Sequence, residues 1–360
     1  TYYGSGGGGG GGSPGGQSGP AGYQGIVIIS YTTSAPTVTT NSVNSVSATS
    51  ATLFGAITNA GGVNATQSGF AYGTVSTLNT VIATTTLGAQ TGNASFSGSV
   101  SSLTGNTTYY YRAYATNSVG TGYGSIGSFL TLPGTPAAPS VGSVTATTTS
   151  VSWSAPTGGV ASYKLQYCVS GSSPCVNSTG LAVTSTTTNL LVGNTTYSFA
   201  VRGTNATGDG LFSASTTQLT LPDRPTSLVL SGVTATTTLV SWTAPTGGAG
   251  SYKLTMCQGA TCSVYAGISG VSTTTYSLVG NTTYTYSVLA TNATGDSLST
   301  ATSTQLTAPD ITGTPTFSNI TADAMRVSWT APTGGASTYK LERCAGSGCS
   351  DYVSVSTGIA

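Results

Sequence analysis

One phrase, written three times, constrains this chain more than anything else in it. "VSWSAPTGG" at residues 151–159 returns as "VSWTAPTGG" at 240–248 and at 327–335. Each copy leads into "SYKL" or "TYKL" (162–165, 251–254, 338–341) and then into two close cysteines. Two copies continue as "LVGNTTYSFAVRGTNATGDG" (191–210) and "LVGNTTYTYSVLATNATGDS" (278–297). A repeat of about ninety residues is the length of a domain, so the chain reads as tandem domains.

Within each copy the apolar residues recur every second position. Val240 and Trp242 share a face, as do Tyr252, Leu254 and Met256, and as do Tyr284, Tyr286 and Val288. Polar residues fill the alternate positions, the pattern of half-buried antiparallel strands. Pro-Thr-Gly-Gly and Gly-Asn-Thr-Thr supply the turns. About seven short strands per repeat make a β-sandwich.

The phrases themselves resemble the fibronectin type III domain. Trp153, Pro156, Tyr163, Leu165, Tyr167, Leu191, Tyr197 and the "GTNATG" phrase carry the likeness, which extends over residues 136–360. The resemblance implies tandem seven-stranded sandwiches with Trp153, Trp242 and Trp329 in the cores. It also implies a tyrosine corner at Tyr197 and Tyr284, with the hydroxyl tied back to upstream backbone. Residues 34–133 look like a more distant copy, without Trp or Cys, in which "LTGNTTYYYRAYATN" (103–117) repeats the corner phrase at Tyr109. The expected division is a glycine-rich segment (1–33), sandwiches at 34–133, 134–222 and 223–309, and an incomplete one at 310–360. Aligned on its cysteines, the fourth copy reaches Ala360 opposite Thr273 of the third. The expectation is a protein that continues beyond Ala360 and is trimmed ahead of Thr1.

Composition narrows the function. Charged residues are 4% of the chain and the net charge is +1, against roughly 25% charged in ordinary globular domains. Surfaces hydrated by hydroxyls and amides do not repel one another, so close self-association is permitted. No basic field exists for nucleic acid. Histidine is absent, and seven carboxylates are all the chain offers for acid–base chemistry. An enzyme, a metal site and a cofactor are therefore not expected. The longest apolar run, "IVII" at 26–29, is too short to span a bilayer.

The six cysteines fall in local pairs, Cys168/Cys175, Cys257/Cys262 and Cys344/Cys349. An even count without Cys-x-x-Cys spacing points to disulfides and an extracellular, cell-surface setting. Each loop is short, so a bridge is worth about 2 kcal/mol by chain entropy. They read as local staples.

The glycine tract at 4–25 cannot bury a core of its own. Ordered, it would need neighbours for its backbone hydrogen bonds, as polyproline-II-like helices packed side by side provide. "GIVIISYTT" after it is apolar on both faces, Ile26/Ile28 and Val27/Ile29, and reads as an assembly strand buried on both sides. As a donated strand it could not by itself complete the fourth sandwich, which lacks about three.

Nine Asn-x-Ser/Thr triplets, at Asn64, Asn93, Asn106, Asn177, Asn194, Asn205, Asn281, Asn292 and Asn319, are candidate glycan acceptors or simply repeat-encoded turns. Asp209 and Asp296 sit at matching loop tips; one carboxylate per loop is too few for calcium, so they read as turn residues. Tyr110 and Tyr114 should face opposite Tyr109 and Tyr111, as an exposed sugar or partner platform. The leading expectation is a structural subunit of an extracellular filament or surface stalk whose main partner is itself. An adhesin or carbohydrate-binding surface protein with sandwiches as spacers, contacting other surface proteins or glycans, comes second. The accessory region of a secreted hydrolase comes third.

Overall fold

A computed structural model describes residues 28–360; Ile26, Val27 and the glycine tract lie outside them. Every regular element there is a strand. Three sandwiches follow one another. In the third, Thr226–Ser231, Thr238–Thr243 and Ser272–Thr275 form one sheet. Thr261–Ile268, Ser251–Gln258, Thr283–Thr291 and Ser303–Leu306 form the other. That is the expected seven strands. The second sandwich repeats the topology with its final strand in two pieces, Gly208–Asp209 and Thr216–Leu219, both paired to Thr196–Asn205. The first does the same with Thr121–Tyr123 and Gly127–Leu130 against Thr108–Thr116.

The period-two pattern becomes the core. Along Thr196–Asn205 every second side chain is buried. Tyr197, Phe199 and Val201 thereby meet Val151, Trp153, Tyr163, Leu165, Tyr167 and Leu191. Trp153 sets its edge against Tyr163, ring centroids 5.4 Å apart, and Trp242 does the same with Tyr252 at 5.3 Å. The corner tyrosines are buried and accept a backbone hydrogen bond at one spacing: Thr104 N to Tyr109, Val192 N to Tyr197 and Val279 N to Tyr284, each 3.0 Å. Disulfides Cys168–Cys175, Cys257–Cys262 and Cys344–Cys349 are formed. The second pins directly opposed residues of a hairpin.

Three expectations need correction. Trp329 is only half-buried, because the fourth copy consists of two separate two-stranded ladders, Thr316–Ser318 with Arg326–Ser328 and Tyr339–Arg343 with Val353–Ile359. It keeps its edge-on contact with Tyr339 (5.4 Å) but lacks an opposing sheet. Ile28 and Ile29 are not in a strand and are 85% and 81% exposed, since pairing starts only at Thr37. Tyr114 does face away from the core but is 7% exposed. Its hydroxyl donates to Thr85 O (3.1 Å) and accepts from Gln67 Nε2 (3.3 Å) in space left open by Gly69. Tyr110 is half-buried, so the two form no open platform.

Candidate functional site at the joints between sandwiches

The turns of the repeat meet where one sandwich ends and the next begins. Gly-Asn-Thr-Thr lies at the far end of each sandwich. Its asparagine takes positive φ, 48° at Asn106 and 51° at Asn194 and Asn281, a conformation asparagine tolerates better than most residues. The near end of the next sandwich offers the double-glycine turn and the Asn-Ala-Thr-Gly turn.

At the first joint Asn106 Nδ2 donates to Gly158 O (3.0 Å). Asn205 Nδ2 donates both to Asn106 Oδ1 (2.9 Å) and to Thr131 O in the connecting segment (2.8 Å). Thr207 Oγ1 donates to Leu130 O (2.8 Å). The second joint repeats this bond for bond: Asn194 Nδ2 to Gly247 O (3.0 Å), Asn292 Nδ2 to Asn194 Oδ1 (3.0 Å) and to Thr220 O (2.8 Å), Thr294 Oγ1 to Leu219 O (2.8 Å). The third begins likewise, Asn281 Nδ2 to Gly334 O at 3.2 Å.

Asn205 can reach across because its own turn fixes it. Its Oδ1 accepts from Thr207 N (2.9 Å) and Gly208 N (3.3 Å), which leaves both amide hydrogens for the neighbour. All four positions of a buried amide are thus used, as burial requires. The glycine is needed too. At Gly158 a β-carbon would stand 2.0 Å from Gly105 O, and φ is +84°. Each bond is worth about 1 kcal/mol net, so a joint of four holds by a few kcal/mol.

Five of the nine glycan candidates, Asn106, Asn194, Asn205, Asn281 and Asn292, are therefore joint residues. An N-linked sugar is attached through the same Nδ2 that crosses the joint. At Asn205 and Asn292, where both amide hydrogens cross the joint, such a sugar and a closed joint exclude each other. Elsewhere, Asn64, Asn93 and Asn177 accept hydrogen bonds through Oδ1 from Gly92 N, Ala60 N and Gln166 Nε2, and Asn319 is exposed.

Asp209 and Asp296 are more than turn residues. Lys164 Nζ lies 2.9 Å and Arg202 2.7 Å from the Asp209 carboxylate, and Thr204 Oγ1 donates to it. Lys253 lies 2.8 Å from Asp296, with Thr291 Oγ1 donating. The lysine hydrogen bond is the main reason each acid is held below the ordinary carboxylate range. The matched recurrence of Lys in "SYKL" and Asp in "ATGD" was the available signal. These pairs brace the turn behind the joint asparagine.

A family match agrees with the sandwich topology. The family description Fibronectin type III domain matches residues 134–218 and 223–306. The chain carries tandem fibronectin type III domains. A stretch making up 56% of the chain is 31% identical over 229 residues to Endoglucanase B of Cellulomonas fimi, and spans 22% of that relative. Among solved structures, a two-domain fibronectin type III segment of chicken tenascin is 23% identical, with a TM-score of 0.35, over 48% of this chain and 99% of that one. The FN1–FN3 domains of chicken CNTN1 are 18% identical, with a TM-score of 0.29, over 76% and 99%. Fibronectin type III domains and disulfides are compatible with an extracellular protein. Among the described residues no helix is long and apolar enough to cross a membrane.

Proposed function

We propose that the chain is a non-catalytic structural rod, the stalk or filament subunit of an extracellular surface, whose joints keep successive fibronectin type III domains in fixed relation. The repeated joint carries this reading. Four side-chain hydrogen bonds recur with the same partners at two successive boundaries, which independent domains on flexible tethers have no need to maintain. The near-neutral surface lets rods pack side by side, with copies of this chain as the main partner. The exposed Ile28 and Ile29 add apolar surface ahead of the first sandwich. Imaging the native material by electron microscopy tests the assembly: filaments or bundled stalks are expected, and isolated particles would leave a rod without self-association. Small-angle scattering tests the rod itself. A scattering curve of freely hinged domains would overturn it.

The match to Endoglucanase B favours one second reading, a spacer region of a secreted hydrolase. The same rigid joints would then hold a catalytic module away from other modules. Finding a catalytic domain in the same polypeptide would decide for it.

A further inference from the structure

Among the described residues, all four double-glycine turns meet a carbonyl oxygen where a β-carbon would sit. At Gly158, Gly247 and Gly334 it belongs to Gly105, Gly193 and Gly280 of the preceding sandwich, 2.0, 2.2 and 1.9 Å from that point. At Gly61 of the first sandwich the oxygen is that of Ser34, at 2.1 Å.

The rest of the socket is present as well. Asn117, buried, corresponds to Asn205 and Asn292. Its Oδ1 accepts from Val119 N (2.9 Å) and Gly120 N (3.2 Å), the same turn geometry. Its Nδ2 donates to Ser34 O (2.7 Å), as Asn205 donates to Thr131 O. The second donation differs. In the later joints it goes to the asparagine of the docked turn, whereas here it goes to Ala60 O (3.2 Å) of the same sandwich. Ser34 N closes the contact by donating to Gly61 O (3.0 Å), and Tyr31 and Thr33 lie over Gly62. The threonine that bonds the neighbour's last strand, Thr207 or Thr294, is replaced by Val119.

We infer that residues 31–34 cap the first sandwich, filling in cis the seat that a Gly-Asn-Thr-Thr turn fills at every later joint. The inference deepens the rod reading and rests on it for its meaning: the capped face is a rod end. One carbonyl, Ser34 O, does what two do elsewhere, filling the glycine hole and accepting the asparagine amide. Asn117 keeps no amide hydrogen for an incoming turn. Residues 31–34 are therefore held against the first sandwich.

Native-state hydrogen exchange on the whole chain tests this. The Ser34 amide is expected to exchange at least about tenfold more slowly than an unstructured amide. Asn117→Ala should abolish that protection while the Asn194 amide, bonded to Leu221 O, stays protected. Gly61→Ala, whose methyl would displace the Ser34 carbonyl, should do the same if Asn117→Ala disturbs the sandwich itself. Exchange of Ser34 at the unstructured rate in the intact chain would overturn the cap. Hinged scattering with Ser34 still protected would instead remove the rod and leave the cap standing.

Discussion

The second and third sandwiches are nearly the same sentence, and their differences show which parts of it the fold enforces. Trp153 and Trp242, Tyr163 and Tyr252, Leu165 and Leu254 occupy matching core sites. Phe199 of the second is Tyr286 in the third, and Tyr286, 1% exposed, has a hydroxyl with no protein partner. Thr149 Oγ1 donates to Gly142 O (2.9 Å), whereas Thr238 Oγ1, also buried, has none. Arg202, which stacks over Phe212 and pairs with Asp209, is Leu289 in the third. The joints, by contrast, are identical bond for bond. Drift has been tolerated inside the cores at some energetic cost, while the contacts between sandwiches are kept whole.

The largest effects should be equal in the two domains. Trp153→Ala and Trp242→Ala each remove a buried indole, at an expected cost of about 3–5 kcal/mol. Urea unfolding of the two variants should show similar losses; a large inequality would mean that the matching cores are not equivalent. Trp329→Ala, half-buried in the fourth copy, should cost much less in the same measurement. Next come the mismatched sites. Tyr286→Phe should stabilise the third sandwich by about 1 kcal/mol, because it removes a buried polar group that nothing satisfies. Phe199→Tyr should destabilise the second by about 1–3 kcal/mol. Thr238→Val should be neutral or stabilising, and Thr149→Val unfavourable by about 1 kcal/mol. If both swaps destabilise, the hydroxyls find partners and the comparison fails there.

Much of the fold was legible because it is local and written repeatedly. Period-two alternation, the tryptophan phrase and the turn residues each speak to their own neighbourhood, and three copies remove ambiguity. The joints were not legible for the opposite reason. Asn205 and Asn106 lie 99 positions apart, and nothing within either triplet reveals the other. Read alone, Asn-Ala-Thr and Asn-Thr-Thr are glycan signals. Tyr114 is covered rather than open, and alternation gives the face of a strand but not what covers it. Register with the adjacent strand, which sets Gly69 opposite Tyr114, decided that. The exposed Ile28 and Ile29 show the same limit, since an apolar pattern states a preference for burial without supplying a partner.

The joints make a prediction of intermediate size. Asn205→Ala and Asn292→Ala each delete two cross-joint bonds and leave Thr131 O or Thr220 O without its donor. The expected weakening is about 1–3 kcal/mol at that joint, visible as a broadened distribution of maximum dimension in small-angle scattering. Because the same amide oxygen accepts from its own turn, at Thr207 N and Gly208 N for Asn205 and at Thr294 N and Gly295 N for Asn292, the domain that carries the variant also loses some thermal stability. Scattering that is unaltered in both variants would mean the joints are held by something other than these bonds.

The smallest effect concerns charge. Both Asp209 and Asp296 are held below the ordinary carboxylate range, first by the lysine hydrogen bond and then by threonine. A lowered folded-state value means stability that is present above the ordinary carboxylate range and is lost as pH falls through the folded value, so any weakening belongs to the acid side, below about pH 4. The pairs are partly exposed and solvent-screened, so each contributes less than about 1 kcal/mol. Asp209 has the additional guanidinium of Arg202, whereas Leu289 gives Asp296 none, so Asp209 should titrate at the lower pH. Carboxyl titration by NMR would show this order directly. Arg202→Leu, which writes the third sandwich's residue into the second, should move Asp209 up toward Asp296 without touching the joint. If the two acids already titrate together in the unaltered chain, Arg202 is held by Phe212 rather than by charge, and the two sandwiches are electrostatically alike.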